Sequence, residues 1–217
     1  MPIGNNSKSK MKKLLEDALV LDRTMILFLV SRFLIHFGGS IPYIFLPTLM
    51  LQKKFTLSQG ANVLSAAAFA NTLSRFTICA ITDHPRAPSG MSTTTISLFL
   101  SGSVMASVPF CNEYYMFVAA GMMYGFLSAP EASLLSVVLG EITSLENLNY
   151  LFGVVAFVQG VGTFGGPPTA GLLIDQFGNA KDGYGIMICY VCGGSFYIIA
   201  GIFCLYITCS NKSNNDK

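Results

Sequence analysis

The sequence predicts an all-α membrane protein, a bundle of six transmembrane helices over residues 24–209. Of its 217 residues, 52% are hydrophobic and 11% are charged, and the mean hydropathy is +0.57. Soluble domains carry about 25% charged residues, so this chain has too little polarity to cover a water-facing surface. Six apolar runs, each long enough to cross a bilayer as a helix, alternate with short polar segments.

The first half of the chain supplies three of these spans. Residues 1–23 are polar and are expected to be a cytosolic lead-in. The first span contains Arg32, His36, Pro42 and Pro47, and its prolines are expected to loosen the helical backbone. The second span carries Arg75. The predicted spans are residues 24–51, 57–83 and 91–110.

The second half supplies three more spans, over residues 114–139, 150–175 and 184–208, followed by a polar tail at 210–217 that we expect to be cytosolic. The fourth span has Gly121 and Gly125 in small-xxx-small spacing, which favours close helix packing. Pro130 and Glu131 are expected to interrupt it. The fifth span is rich in Gly, and Pro167 and Pro168 follow its glycine-rich central segment.

The distribution of Lys and Arg predicts the orientation. Six crossings put both termini on one side, and cytosolic segments carry an excess of Lys and Arg. The outer loops would hold three such residues, Lys53, Lys54 and Lys181. The inner segments would hold eight, namely Lys8, Lys10, Lys12, Lys13, Arg23, Arg86, Lys212 and Lys217. We therefore expect both termini in the cytosol.

Arg75 is the first candidate site residue. A charge at that depth is costly unless it faces a watery cavity or a partner, so an intramembrane Arg indicates a functional site. Asn71 lies one helical turn earlier on the same face. Because a guanidinium presents a planar fork of donors that suits a carboxylate, we predict that Arg75 and Asn71 bind an anionic solute. The alternative is an Arg that reaches lipid headgroups or a neighbouring carbonyl.

Three further residues could line a cavity or take part in coupling. Glu131 could relay a proton or pair with Arg32, and a structural ion pair is the interpretation we favour. His36 titrates near neutral pH, although a lone His in a span is often a hydrogen-bonded structural residue. Gln159 could line the cavity or bond to a neighbouring helix.

The fifth span predicts a packing seam and a hinge. Gly162 and Gly166 form a GxxxG pattern, which lets two helices approach closely. Pro167 and Pro168 remove two consecutive amide donors and are expected to bend the helix. Tight packing without a functional role explains the same pattern equally well.

Several functions are disfavoured by the sequence. It contains no G-x-S-x-G, H-E-x-x-H or P-loop motif, so we do not expect an enzyme. Cys189 and Cys192 form a C-x-x-C inside an apolar run, which is a poor setting for a metal or redox site. No basic cluster with interleaved aromatics indicates nucleic-acid binding. We expect no cofactor and no metal.

Several motifs together resemble the C-terminal half of the monocarboxylate transporters, a branch of the major facilitator superfamily. The two most specific are N-T-x-S-R at 71–75 and Q-G-x-x-x-x-G-G-P-P-x-A-G-x-x-x-D at 159–175. Shorter matches are L-P at 46–47, G-E at 140–141 and D-Q-F-G at 175–178. The resemblance covers nearly the whole chain in one order.

The resemblance implies that the six spans are helices seven to twelve of a twelve-helix carrier, half of a major facilitator superfamily fold. Residues 1–23 would end its central cytosolic loop. Arg75 occupies the position that binds the substrate carboxylate in that family, and Asn71 stands where proton-coupled members have Asp. The implied activity is transport of a small monocarboxylate or related organic anion across the plasma membrane, with a proton as candidate co-substrate.

Two hypotheses follow from the length of the chain. In the first, it is a fragment or truncated product of a carrier, and its missing N-terminal six-helix half completes the transport pathway. In the second, it is a non-transporting half-carrier that acts as an assembly or decoy subunit of another carrier chain. Both hypotheses place the chain in a lipid bilayer. In both, a partner, either the missing half or another carrier chain, forms the other wall of the cavity.

Overall fold

The computed structural model describes residues 23–82, 84, 88–143, 148–177 and 184–215, and this part of the chain is helical without a strand. The predicted all-α fold is therefore confirmed. Residues 1–22 of the predicted lead-in and residues 216–217 of the tail lie outside the described residues. The elements in chain order are α1 (Arg23–Gln52), α2 (Leu57–Thr82), α3 (Gly90–Ser107), a 3₁₀ turn (Val108–Phe110), α4 (Tyr114–Ser133), α5 (Leu135–Ile142), α6 (Leu148–Phe177) and α7 (Tyr184–Asn215).

The described helices provide five candidate membrane crossings by length and apolar composition, and a sixth when one bent pair of helices is counted as a single span. Five are long and apolar enough on their own: α1, α2, α3 with its 3₁₀ turn, α6 and α7. The sixth crossing is made by α4 and α5 together, which are bent by 43° at the break between them. The predicted six-span bundle is confirmed when this bent pair is counted as one span.

Two boundaries differ from the prediction. The fourth span was expected to break at Pro130 and Glu131, but α4 continues to Ser133 and the break falls at Leu134 (φ −94°, ψ 5°). The Leu134 N–H still donates to the Pro130 carbonyl at 2.9 Å, which closes the last turn. The last helix also continues through the start of the predicted tail, because residues 209–215 contain no Gly or Pro to end it.

The turn between α1 and α2 is set by local hydrogen bonds. Lys54 adopts a left-handed conformation with φ 68°. The N–H groups of Lys54 and Phe55 both donate to carbonyls in the last turn of α1 at 3.0 Å, in the pattern that ends many helices. The Thr56 N–H then donates to the side chain of Gln59 at 2.9 Å, and the Gln59 N–H to the Thr56 hydroxyl at 3.3 Å. This reciprocal pair is a capping box that starts α2.

The N-terminus of α3 is capped from two directions. The Ser89 hydroxyl accepts from the Ser92 N–H at 3.2 Å. The Glu141 carboxylate, on α5, accepts from the N–H groups of Gly90 and Met91 at 2.7 and 3.1 Å. A carboxylate at this end also complements the helix dipole, so it holds α5 against the start of α3.

The helices α1, α2, α4, α3 and α7 form a closed ring in which each packs on the next, and α6 lies against α1 and α7. Glycines permit the closest approaches. A Cβ atom at Gly125 of α4 would lie 2.1 Å from the Ala67 carbonyl oxygen of α2, and one at Gly194 of α7 would lie 2.6 Å from the Gly102 carbonyl oxygen of α3. Small residues of this kind let transmembrane helices pack backbone to backbone.

Two helices have most of their surface uncovered. In the most apolar part of α2 and α6, 17% and 11% of the residues are buried, whereas the corresponding shares of α1, α3 and α7 are 39%, 50% and 44%. Large apolar side chains are exposed on both helices, including Phe69 and Phe76 on α2 and Phe157 and Phe164 on α6. The ring is therefore well packed, and its least covered surfaces lie along α2 and α6.

Candidate functional site

A cavity of about 410 Å³ opens beside α1, α2 and α4. Single residues of α6 and α7 complete its wall. Its polar lining contains both candidate binding residues and two of the three candidate coupling residues. A second cavity of about 390 Å³ lies between α1, α6 and α7 and has no charged residue in its lining. Of these two cavities, only the first therefore offers a charged side chain to a ligand. The principal side chains of the first cavity are His36, Tyr43, Asn71, Arg75, Tyr124 and Glu131.

Asn71 holds Arg75 in place. The Arg75 Nε–H donates to the Asn71 side-chain oxygen at 3.0 Å, across one turn of α2. The Asn71 amide nitrogen donates to the Gly125 carbonyl of α4 at 2.9 Å and lies 3.4 Å from the Ser128 hydroxyl. Arg75 is exposed. Among the described residues neither of its terminal nitrogens has a hydrogen-bond partner, so this end of the guanidinium is available to a ligand.

Arg32 and Glu131 form the predicted ion pair, and both are buried, at 0% and 6% exposure. Arg32 Nη1 donates to the Glu131 carboxylate and, at 3.0 Å, to the Glu131 backbone carbonyl. The guanidinium carbon also lies 4.7 Å from the centre of the Phe28 ring. Arg32 Nε and Nη2 are buried without a hydrogen-bond partner in the described part of the chain. The pair joins α1 to α4 across the ring.

His36 lies beside this pair and lines the cavity together with Glu131. Its Nε2 atom is 3.5 Å from the Glu131 carboxylate, a contact that is not aligned as a hydrogen bond. Its Nδ1 atom is 3.4 Å from the hydroxyl of Thr163 on α6. The His36 side chain is 30% exposed, so it can exchange protons with water in the cavity. The imidazole thus connects α1, α4 and α6 at one point.

Three tyrosines form part of the cavity wall that the sequence reasoning did not identify. The hydroxyl groups of Tyr124 and Tyr197 are 3.2 Å apart, and the Tyr124 ring lies 6.0 Å from that of Tyr43. A sequence signal did exist, since Tyr124, Ser128 and Glu131 follow helical spacing and so share one face of α4. That face is the one that lines the cavity.

The predicted packing seam lies on α6, against α1. Cβ atoms at Gly162 and Gly166 would lie 2.8 and 2.2 Å from the carbonyl oxygens of Phe33 and Phe37, so these backbones touch. The helix is continuous through Pro167 and Pro168. Their role as a hinge stays a prediction.

Gln159 is half-buried and is not part of the cavity lining, whereas Thr163, one turn further along α6, is. Cys189 of the C-x-x-C is buried, and its thiol donates to the Ala170 carbonyl at 3.4 Å. Within the described residues no group of three His, Cys, Asp or Glu side chains is arranged to hold a metal ion.

The family profile of the Major Facilitator Superfamily matches residues 28–215. Monocarboxylate transporter 3 of Rattus norvegicus is 25% identical over 215 residues, which are 96% of this chain and 42% of the relative. Monocarboxylate transporter 1 of Mus musculus is 26% identical over 203 residues, 88% of this chain and 38% of the relative.

Monocarboxylate transporter 12 of Xenopus laevis is 23% identical over 180 residues, 80% of this chain and 39% of the relative. The chain therefore spans about two fifths of the length of the curated relatives that it matches. These matches run along the same helices that form the cavity and its ring.

Proposed function

Since the chain belongs to the Major Facilitator Superfamily, we propose that it forms the C-terminal half of a carrier for a small organic anion, with a monocarboxylate as the first candidate. The observation that carries this proposal is Arg75, an exposed guanidinium that lines an open cavity of the bundle and whose terminal nitrogens have no hydrogen-bond partner among the described residues. Support for the substrate class comes from relatives that are named monocarboxylate transporters.

Arg75 supplies the binding chemistry. Its Nε–H is already used by Asn71, so Nη1 and Nη2 present two parallel donors to the cavity. A carboxylate can accept both at once, and such bidentate contacts are among the strong hydrogen bonds of proteins. The charge is not neutralised by a protein carboxylate within contact distance in the described residues. An anionic solute would therefore meet an unpaired cation.

Asn71 acts in this proposal by positioning Arg75. The sequence predicted that its amide would also contact the solute, but both polar atoms already have partners within the protein. Because the amide is held to the Gly125 carbonyl, it fixes the direction of the guanidinium relative to α4. A ligand then encounters a pre-oriented donor pair, which reduces the entropy lost on binding.

Transport requires a second wall. Carriers of this kind bind solute between two helical bundles and expose it alternately by rocking one against the other. The uncovered apolar faces of α2 and α6 flank the open cavity, which suits docking of a second six-helix half or another carrier chain. We place the assembled carrier in the plasma membrane, with both termini of this chain in the cytosol.

Substitution of Arg75 tests the proposal in the complete gene product that carries this sequence. Uptake of radiolabelled pyruvate, L-lactate and phenylpyruvate into proteoliposomes is measured at sub-saturating concentration. Arg75→Ala is expected to lower uptake by about 10- to 100-fold, the equivalent of losing one or two charged hydrogen bonds. Arg75→Lys, which keeps the charge but loses the fork, should be intermediate.

Thr72→Ala is the matched control, since Thr72 is exposed on the same helix and, among the described residues, its hydroxyl bonds only to the Ala68 carbonyl. It should transport like the wild type. Uptake by Arg75→Ala equal to that of the wild type at equal protein amounts would contradict the role of Arg75. No uptake of any of the three anions by the wild type would contradict the proposed function.

A further inference from the structure

The second feature of the cavity is a titratable group placed beside a buried ion pair. His36, Glu131 and Arg32 lie in contact order from the cavity to the interior of the bundle. Arg32 keeps its charge at every accessible pH, and it neutralises Glu131. The pair therefore has no net charge, and the protonation of His36 decides whether this wall of the cavity is neutral or positive.

We propose that His36 is the proton-binding residue that couples anion transport to pH in this carrier, in place of an acidic residue at position 71. The inference rests on the proposed function, because it concerns the same cavity. A proton from cavity water binds one imidazole nitrogen, and the imidazolium is stabilised by the adjacent Glu131 carboxylate. The O–H bond of a hydronium ion in the cavity water breaks as this N–H bond forms, and no other covalent bond changes.

The charge balance gives the sign of the coupling. A protonated His36 adds one positive charge to a cavity that already contains Arg75, and like charges disfavour each other in the absence of an anion. A bound carboxylate reduces this repulsion, because its negative charge attracts both the imidazolium of His36 and the guanidinium of Arg75. Proton and anion binding therefore strengthen each other, and by linkage each raises the affinity of the other by the same factor. The carrier would move the two together.

The other ionisable groups of the cavity do not substitute for His36. Arg residues stay charged, and Tyr side chains stay neutral at neutral pH. Within the described residues, α6 contributes Thr163 to the cavity, which does not titrate. The charged and titratable groups that face this region are Arg32 and Tyr43 on α1, Arg75 on α2, Tyr124 and Glu131 on α4, and Tyr197 on α7.

His36 also connects proton binding to α6, through its contact with Thr163. A neutral imidazole can accept at Nδ1 from the Thr163 hydroxyl, but an imidazolium only donates at both nitrogens. When the neutral imidazole carries its hydrogen on Nε2, protonation at Nδ1 makes the Thr163 hydroxyl change from donor to acceptor at this 3.4 Å contact. Thr163 lies between Gly162 and Gly166 in the tight contact of α6 with α1. A change in the charge of His36 therefore alters a hydrogen-bond contact between α1 and α6 at the point where these helices pack most closely.

The test measures uptake of the best-transported anion of the panel and lumenal acidification, in proteoliposomes of the complete gene product between pH 6 and pH 8. Protein-free vesicles give the background of undissociated acid. For the wild type, KM is expected to fall about 5- to 100-fold from pH 8 to pH 6, within the usual range of coupling between two sites and the limit of tenfold per pH unit for one proton. Acidification should accompany uptake.

For His36→Gln, the change of KM over this range should be less than about twofold, and anion uptake should proceed without acidification. His84→Gln alters the other histidine of the chain, which lies outside the predicted spans, and should keep the wild-type pH profile.

The double variant Arg32→Gln with Glu131→Gln removes the ion pair without leaving a buried charge. It should change the pH dependence of KM, because the imidazolium loses its carboxylate neighbour. Unchanged pH dependence in His36→Gln, or a flat profile in the wild type, would overturn the inference while anion uptake itself upholds the proposed function. Absence of anion uptake by the wild type would overturn both.

Discussion

At the residue scale, Arg32 and Arg75 have opposite surroundings although each lies inside an apolar run. Arg32 is fully buried and contacts Glu131, whereas Arg75 opens into the cavity. A buried charge needs a partner, since the penalty for removing it from water is several kcal/mol per ion. The Arg that already has a carboxylate is therefore a structural group, and the Arg that has none is the group that an anion can reach.

Breaking the buried pair tests this division. Glu131→Ala leaves Arg32 buried and unpaired, so we expect it to destabilise the protein by about 3–5 kcal/mol. Replacing both partners, by Arg32→Met with Glu131→Leu, should restore most of the stability, because neither charge then remains buried. Thermal unfolding of the complete gene product in lipid nanodiscs measures the stability of both variants. A double variant as unstable as Glu131→Ala would contradict the assignment, because an unpaired buried charge would then not explain the loss of stability.

The contact between Asn71 and Arg75 could be predicted from the sequence. Asn71 and Arg75 are four residues apart on one helix, so their contact follows from helical geometry. The contact of His36 with Thr163 could not be predicted in this way, because these residues are 127 positions apart and meet only through the packing of α1 on α6. Tyr197 was missed for the same reason.

At the element scale, glycines decide which helices come together. The small-residue patterns of α4 and α6 predicted close packing, but not the partners. The structure pairs Gly125 with Ala67 on α2, and Gly166 with Phe37 on α1. The partner depends on the order of helices in the ring, which is a property of the complete bundle. Likewise, Pro130 predicted a break in α4, but the closing hydrogen bond of the last turn moves the break to Leu134.

Gly166→Ala tests the contact between α6 and α1. The added Cβ would lie 2.2 Å from the Phe37 carbonyl oxygen, which is backbone and cannot rotate away. We expect a loss of about 1–3 kcal/mol of stability, as for other overpacked sites. Gly171→Ala is the control on the same helix, since nothing lies within 4 Å of its added Cβ. Equal unfolding temperatures for the two variants would contradict the close packing assigned to Gly166.

At the scale of the whole molecule, the bent pair α4 and α5 fixes the topology. If it is one crossing, six crossings place both termini on one side. The six apolar runs of the sequence predicted this arrangement, and the resemblance of the motifs to a carrier half implied the same six helices. Composition alone predicted only that several helices cross a membrane. The side itself was predicted from Lys and Arg, many of which lie in segments outside the described residues.

Epitope tags test the topology. A tag after Lys217 should bind antibody only after cells are permeabilised, and a tag after Lys54, in the turn between α1 and α2, should bind it in intact cells. This pattern follows from the excess of basic residues at the termini. Surface binding of the C-terminal tag in intact cells would mean that α4 and α5 do not form a single crossing, or that the orientation is reversed.

The ion pair between α1 and α4 has a mechanical consequence. Five helices joined only to their neighbours resemble a pentagon of hinged rods, which can shear into another shape while every side keeps its length. Arg32 and Glu131 connect two corners of that pentagon that are not adjacent. The contact between the hydroxyl groups of Tyr124 and Tyr197 joins α4 to α7, a second pair of corners that are not adjacent. A hinged pentagon needs two diagonals to become rigid, and these two share the corner at α4, so together they let the bundle move as one stiff body.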